Sequence, residues 1–155
     1  MIWNDNPKIE IYNEDCLPAM RKMKDNQFDL AIVDPPYGLE AKGQLSRLNG
    51  AGKLKNRAIN QLSTEFDKNP PKEEYFNELF RVSQNQIIWG GNYFVLPPTR
   101  GIAIWDKEQP FPNFSAFEYA WTSFDKPAKI FKLATTRTGE KKIHPTQKPV
   151  ALYKW

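Results

Sequence analysis

A six-residue apolar segment at positions 28–33 constrains the fold of this chain more than any other feature. Its sequence is Phe-Asp-Leu-Ala-Ile-Val, in which only the second residue is polar. A strand of this kind is typical of a parallel sheet that is covered on both faces, because a sheet with one solvated face alternates polar and apolar residues. The segment therefore predicts a buried strand of an α/β sheet.

The rest of the chain alternates between strand-like and helix-like segments. Residues 9–12 alternate as a short strand does, and Asp15 is placed to cap a following helix. Apolar residues at helical spacing follow Pro70-Pro71 and precede a third strand at 86–89. Further strand candidates, the last two joined by a turn, are residues 101–105, 117–124 and 129–133. This order predicts an open, mostly parallel α/β sheet with helices on both faces and antiparallel strands at its end.

The composition indicates one globular domain over residues 1–155. Hydrophobic residues make up 40% of the 155, and a folded chain of this length buries about 70% of its unfolded surface. With one cysteine, Cys16, and one histidine, the chain has no intramolecular disulfide and no ordinary structural zinc site, so no metal is expected. The sequence also lacks an apolar run of the roughly 20 residues that a membrane span needs, and it lacks a signal peptide pattern. We expect a soluble cytoplasmic protein.

Positive charge is concentrated in one segment. The net charge is +4, which permits a polyanionic partner without requiring one. Residues 41–64 contain no acidic residue and carry five cations, Lys42, Arg47, Lys53, Lys55 and Arg57. A solvated surface insertion is one interpretation. Contact with nucleic-acid phosphates is the other, because the segment comes soon after the turn that ends the strand at 28–33, and ligands of α/β folds bind beyond the carboxyl ends of strands.

The turn after that strand combines groups suited to hold a planar amine. Its residues are Asp34-Pro35-Pro36-Tyr37. The Asp34 carboxylate and the Pro35 carbonyl are acceptors for amine hydrogens, and Pro36 has no N–H to occupy that carbonyl locally. Tyr37 offers an aromatic face on which a base flipped out of a duplex can stack. A purely structural turn is the alternative, since strand-to-loop turns often contain Asp and Pro.

Two further segments reproduce a known motif order. They are Ile-Ile-Trp-Gly-Gly-Asn-Tyr-Phe at 87–94 and His-Pro-Thr-Gln-Lys-Pro at 144–149. With the Asp-Pro-Pro-Tyr turn, they make the chain resemble the S-adenosylmethionine-dependent amino DNA methyltransferases with permuted motif order. The resemblance implies a Rossmann-like methyltransferase sheet and a function in a restriction-modification system. It also implies that the catalytic residues are Asp34, Pro35, Pro36 and Tyr37.

The resemblance also implies residues that bind the cofactor. Thr146 offers a hydroxyl, and Lys148 a cation suited to the cofactor's carboxylate. Taken alone, Asp15 is equally a helix cap and Cys16 a small buried residue. Gly90 and Gly91 are interpreted as a pocket wall opposite Asp34 or as an ordinary turn. The full predicted cofactor set is Asp15, Cys16, Asp34, His144, Pro145, Thr146 and Lys148.

The glycine-rich cofactor loop of the resembled family has no counterpart in residues 1–155. We therefore expect a partial catalytic domain, incomplete at its C-terminus, whose partners are double-stranded DNA and the missing cofactor-binding segment or a dimer partner. In the resembled family, enzymes with Asp at the first motif position chiefly methylate the N6 amine of adenine. The resemblance therefore favours methylation of adenine in DNA. The alternatives are cytosine N4, RNA or protein amide methylation, and a non-catalytic remnant or one part of a split enzyme that binds nucleic acid.

Overall fold

The computed structural model describes residues 9–39, 67–110, 115–141, 143–144 and 146–155. These residues form three α-helices, five strands and a short 3₁₀ turn at Gly91–Tyr93. In chain order the helices and strands are α1 (Cys16–Met20), β1 (Phe28–Val33), α2 (Glu73–Val82), β2 (Ser83–Trp89), β3 (Ile102–Asp106), β4 (Phe117–Thr122), β5 (Lys129–Lys132) and α3 (Val150–Lys154).

The strands form one open sheet with the order β1-β2-β4-β3-β5. β1 pairs with β2 and β3 with β5 in parallel, whereas β4 is antiparallel to both of its neighbours. The predicted open α/β sheet is confirmed, and its pairing is mixed. β4 and β5 follow one another along the chain as predicted, but β3 lies between them in the sheet.

Helix α2 shows how the sequence specifies a local element. Two glutamates lie in its first turn and Arg81 in its last, which places charge favourably on the helix dipole. Phe76, Leu79 and Val82 are buried at helical spacing. The helix ends where Ser83 turns extended, and the Ser83 hydroxyl donates to the Leu79 carbonyl at 2.6 Å.

The core has two parts, one on each face of the sheet, because successive strand residues point to opposite sides. Helices α1 and α2 cover the first face, and Leu152 of α3 contacts the second. This arrangement confirms the prediction of helices on both faces. The first cluster contains Met20, Phe76, Leu79, Val82, Ile88 and Trp121, and the second contains Trp89, Trp105, Ala120 and Leu152.

Two predictions about strands were wrong. Residues 9–12 do not form a strand, and Ile9 and Ile11 are 72% and 90% exposed. In β1, Phe28, Leu30 and Ile32 are each about two-fifths exposed, although the apolar segment predicted cover on both faces. Within the described part of the chain β1 is also an edge strand, which pairs with β2 alone.

None of the helices in the described ranges is long and apolar enough to cross a membrane.

Replacing Ile88 by Ala tests the first core cluster. Ile88 is fully buried, so the variant should lose about 2–5 kcal/mol of unfolding free energy in urea denaturation, through lost burial and the cavity left behind. Ile130→Ala is the matched control, because Ile130 is 56% exposed and its truncation should change stability by less than about 0.5 kcal/mol. Equal losses in the two variants would contradict this description of the core.

Candidate active site

The topology brings four chain segments to one edge of the sheet. β1, β2 and β3 run in the same direction, so their carboxyl ends meet there, and antiparallel β4 begins at that edge. Asp34 follows β1, Gly90 follows β2, Lys107 follows β3, and Glu118 is the second residue of β4. Side chains that are distant in sequence therefore converge where ligands of open α/β sheets bind.

The Asp34 carboxylate is held from two sides. The Tyr37 hydroxyl donates to Oδ1 at 2.6 Å, and the Lys148 ammonium donates to Oδ2 at 2.5 Å. Lys148 Nζ also lies 3.4 Å from the Tyr37 hydroxyl. The structure thus brings together residues predicted from two separate motifs, while the Asp34 side chain keeps 31% of its surface exposed.

Lys148 is buried and neutralised by two carboxylates. Its side chain is 2% exposed, and Nζ lies 3.1 Å from Oε2 of Glu118 in addition to its contact with Asp34. The other oxygen of Glu118 pairs with Lys107 at 2.7 Å. These carboxylates supply the compensating charge that a buried ammonium requires within the protein. Beside it, 5.3 Å from Nζ, lies the Trp89 ring, whose buried Nε1 has no hydrogen-bond partner among the described residues.

The charges at this edge are set by the same contacts. Burial favours the protonated form of Glu118, but Lys148 and Lys107 outweigh it and lower the pKa of its carboxyl. Burial, together with the charge of Asp34 and their hydrogen bond, raises the pKa of the Tyr37 phenol far above its ordinary value. Burial, with smaller effects from Asp34 and Glu118, raises the pKa of Tyr153 to about 12. At neutral pH the Glu118 carboxylate is charged, and both phenols keep their protons.

The Tyr37 ring is packed against two neighbours. It stacks on Tyr93 with ring centroids 4.7 Å apart and planes 15° from parallel. Gly90, at φ +71°, lies so close that an added Cβ would come within 2.1 Å of Cε1 of the ring. Tyr93 therefore covers one face of the ring on which a base was predicted to stack. Tyr93, which is 45% exposed, extends the aromatic surface towards solvent.

A buried carboxylate that the sequence analysis missed holds the chain after the turn. Asp67 is 4% exposed and accepts the backbone N–H groups of Tyr37, Gly38 and Leu39 at 2.5, 3.1 and 2.7 Å. Three successive amide donors satisfy its oxygens, which fixes the backbone immediately after the Pro-Pro pair. No motif pointed to Asp67, because its partners lie 28 to 30 residues earlier.

The remaining predicted site residues have local partners or lie outside the description. Asp15 accepts the Leu17 N–H at 3.0 Å and caps α1, and Cys16 is exposed, so the interpretation of Cys16 as a buried residue is wrong. His144 Nδ1 and the Thr146 hydroxyl lie 2.9 Å apart, and both side chains are exposed. Pro35 is buried and Pro36 is partly buried. The predicted residues that lie outside the described ranges are Pro145, Lys42, Arg47, Lys53, Lys55 and Arg57.

In the ranges described, no group of three or more His, Cys, Asp and Glu side chains is arranged to hold a metal ion.

Among the known proteins that resemble this chain, two Type II methyltransferases match it over nearly its whole length. The chain is 24% identical to Type II methyltransferase M2.MboI of Moraxella bovis, over 96% of this chain and 70% of that protein. It is 25% identical to Type II methyltransferase M.HinfI of Haemophilus influenzae, over 92% of this chain. The chain spans about half the length of M.HinfI, 53%. No family model matches it. The two similarities support a relationship to Type II methyltransferases, without specifying the target base.

Replacing Gly90 by Ala tests the close packing of Tyr37. A side chain in the left-handed region costs about 1–2 kcal/mol of stability, and at Gly90 it also overlaps the ring, which should cost about 1–3 kcal/mol more. Gly139→Ala is a matched control, since Gly139 has φ +69° and no heavy atom within 4 Å of an added Cβ. Urea denaturation should show the larger loss for Gly90→Ala, and equal losses would contradict the ring contact.

The lowered pKa of Glu118 predicts a pH-dependent contribution to stability. The ordinary pKa of the carboxyl is 4.5, and a group whose pKa falls on folding stabilises the native state above its unfolded pKa. At neutral pH the wild type should therefore have a larger unfolding free energy than Glu118→Gln. The difference should shrink as the pH falls below about 4.5 through the folded pKa. Denaturation series at several pH values measure this, and a difference that does not change with pH would refute it.

Proposed function

We propose that this chain forms the catalytic part of a DNA methyltransferase that transfers a methyl group from S-adenosylmethionine to the exocyclic N6 amine of adenine in DNA. The observation that carries the proposal is the Asp34 carboxylate, which lies at the carboxyl edge of the sheet, fixed by Tyr37 and Lys148 and still 31% exposed. The similarity to Type II methyltransferases supports the same class of reaction.

The turn acts on the amine by accepting its hydrogens. The lone pair of an exocyclic amine is delocalised into the base, which makes the nitrogen a poor nucleophile. An ionised carboxylate has about four lone-pair sites, and Tyr37 and Lys148 occupy one on each oxygen of Asp34. The remaining sites, with the Pro35 carbonyl, accept the amine hydrogens and localise the lone pair on nitrogen. Catalysis then rests on positioning and preorganised electrostatics.

The aromatic pair beside Asp34 supplies a surface for a flipped base. An enzyme that reacts on a base in a duplex takes that base out of the stack. The stacked rings of Tyr37 and Tyr93 lie next to the carboxylate, and Tyr93 is half exposed. Stacking of the base against this pair places its amine near Asp34.

The cofactor residues inferred from the sequence fit S-adenosylmethionine only in part. When bound, the cofactor supplies an electrophilic methyl group on sulfur. Lys148 does not fit as the partner of its carboxylate, because the ammonium is 2% exposed and already paired with two carboxylates. The exposed hydroxyl of Thr146 and imidazole of His144 fit as polar contacts. With Asp15, Cys16, Asp34 and Pro145 they remain the proposed cofactor residues.

Contact with double-stranded DNA is proposed for the basic segment. Its five cations carry no acidic residue among them, which suits electrostatic contact with phosphates independent of sequence. The segment follows the Asp34 turn directly along the chain. Its proposed nucleic-acid-binding residues are Lys42, Arg47, Lys53, Lys55 and Arg57.

Asp34→Ala tests the proposal through methyl transfer. With labelled S-adenosylmethionine and duplex DNA as substrates, the variant should lose methyl incorporation by about 100-fold or more, because the acceptor that organises the amine is gone. Asp29→Ala is the matched control, since Asp29 is an exposed residue of β1 and its loss should leave transfer unchanged. Nucleoside analysis of the product should give N6-methyladenine.

The other outcomes separate the alternatives. N4-methylcytosine in the product would change the target base, and transfer to RNA or protein alone would change the acceptor class. Absence of transfer to any acceptor, with DNA binding retained, would favour a non-catalytic protein. Near-normal methylation by Asp34→Ala would overturn the role of this residue.

A further inference from the structure

We propose that Glu118 is a positioning residue, which holds the Lys148 ammonium against Asp34 and so sets the orientation of the carboxylate that receives the amine. The inference rests on the proposed function for its catalytic meaning. Its structural part, the control of Lys148 by Glu118, is independent of it. Sequence analysis gave no role to Glu118 or to Lys107.

The three donors of the Lys148 ammonium have three acceptors in the structure. These are Oδ2 of Asp34 at 2.5 Å, Oε2 of Glu118 at 3.1 Å and the Tyr37 hydroxyl at 3.4 Å. An ammonium on a four-carbon stem is an inherently mobile group. With a carboxylate on each side, its position along the line from Asp34 to Glu118 is determined by both partners.

Glu118 is itself held in place. Its Oε1 pairs with Lys107 at 2.7 Å, while Oε2 faces Lys148. Its backbone is fixed in β4, directly opposite Trp105 of β3. Lys107 lies 5.4 Å from the centroid of the Trp105 ring. The carboxylate therefore has both oxygens engaged on a rigid strand, which suits it to anchor a mobile ammonium.

The solvent exposure of the four charged side chains differs across this network. Lys148 is 2% exposed, Lys107 18%, Glu118 25% and Asp34 31%. The most exposed member is thus the residue proposed to meet the amine, and the least exposed member is the cation behind it. Ion pairs in partly desolvated positions contribute little net stability, because the desolvation penalty offsets the attraction between the charges. Their placement at the reactive edge accounts for that cost.

Two tyrosine phenols lie beside the two lysines and two carboxylates of this network. Tyr37 donates to Asp34, and Tyr153 of α3 is close enough for Asp34 and Glu118 to raise its pKa. Neutralising Glu118 removes the one carboxylate that pairs with both lysines, and Lys148 keeps its pair with Asp34. We expect Lys148 to shift and the Asp34 carboxylate to turn from its present plane.

The test compares Glu118→Gln with Glu108→Gln in the full chain. Glu108 forms an exposed ion pair with Arg137 at 3.1 Å, so the same substitution there is a matched control. Proton–nitrogen correlation spectra report the Lys148 ammonium, whose signal is assigned by its loss in Lys148→Arg. The carboxyl carbon of Asp34 is followed in parallel. Steady-state methyl transfer to duplex DNA gives kcat and KM, and circular dichroism confirms that each variant folds.

We expect Glu118→Gln to lose the protection of the Lys148 ammonium from exchange with water and to shift the Asp34 carboxyl signal. Its kcat should fall about 10- to 100-fold, as for a small misplacement of a catalytic group, with little change in KM for DNA. Lys107→Gln should show the same changes to a smaller degree and provides a second test if Glu118→Gln does not fold. Glu108→Gln should behave as the wild type.

Unchanged Lys148 and Asp34 signals in folded Glu118→Gln would overturn the proposal, whatever the activity. Altered signals with an unchanged kcat would overturn its catalytic part and leave the proposed function intact. If the wild type transfers no methyl group to DNA, the proposed function fails, and the two signals still decide whether Glu118 positions Lys148 and Asp34.

Discussion

The buried ammonium of Lys148 is the interaction on which the candidate site depends. It joins Asp34 to a residue 114 positions later in the chain and also pairs with Glu118 of β4. The burial of an ammonium, here 2% exposed, is costly unless nearby charged partners compensate its lost hydration. The turn after β1, the start of β4 and the segment before α3 are therefore held together at this edge of the sheet by the pairing of one buried charge.

Local patterns predicted much of the fold. The bounds of β1 and the buried face of α2 follow from short-range periodicity, and both are observed. The prediction of a strand at residues 9–12 was wrong. Alternation of polar and apolar residues indicates an amphipathic segment, but it does not show that another strand is present to pair with it. The exposed face of β1 was mispredicted for a related reason, since an apolar strand signals the cover it needs but not which part of the chain provides it.

The site shows the same limit in its chemistry. The Asp-Pro-Pro-Tyr turn and the cation at Lys148 were found by motif, and the structure brings them together. The motif did not identify Asp34 and Glu118 as partners of Lys148, because a motif indicates a residue type and only three-dimensional contacts show what neutralises its charge. Asp67 carried no sequence signal, and no catalytic role was predicted for Glu118. Each acts across strands or across a long insertion, so their roles become visible only when the distances are known.

The antiparallel direction of β4 makes the site sensitive to strand register. Glu118 reaches the reactive edge because it lies opposite Trp105 in the β3–β4 ladder. A slip of one residue would reverse every side chain of the strand between the two faces of the sheet, and an aromatic neighbour, Phe117 or Tyr119, would take the position of the carboxylate. The register of the β3–β4 hydrogen bonds therefore determines where the Glu118 charge lies. A change in the loop before β4 that shifts this register would alter the electrostatics at Asp34 without replacing any residue of the site.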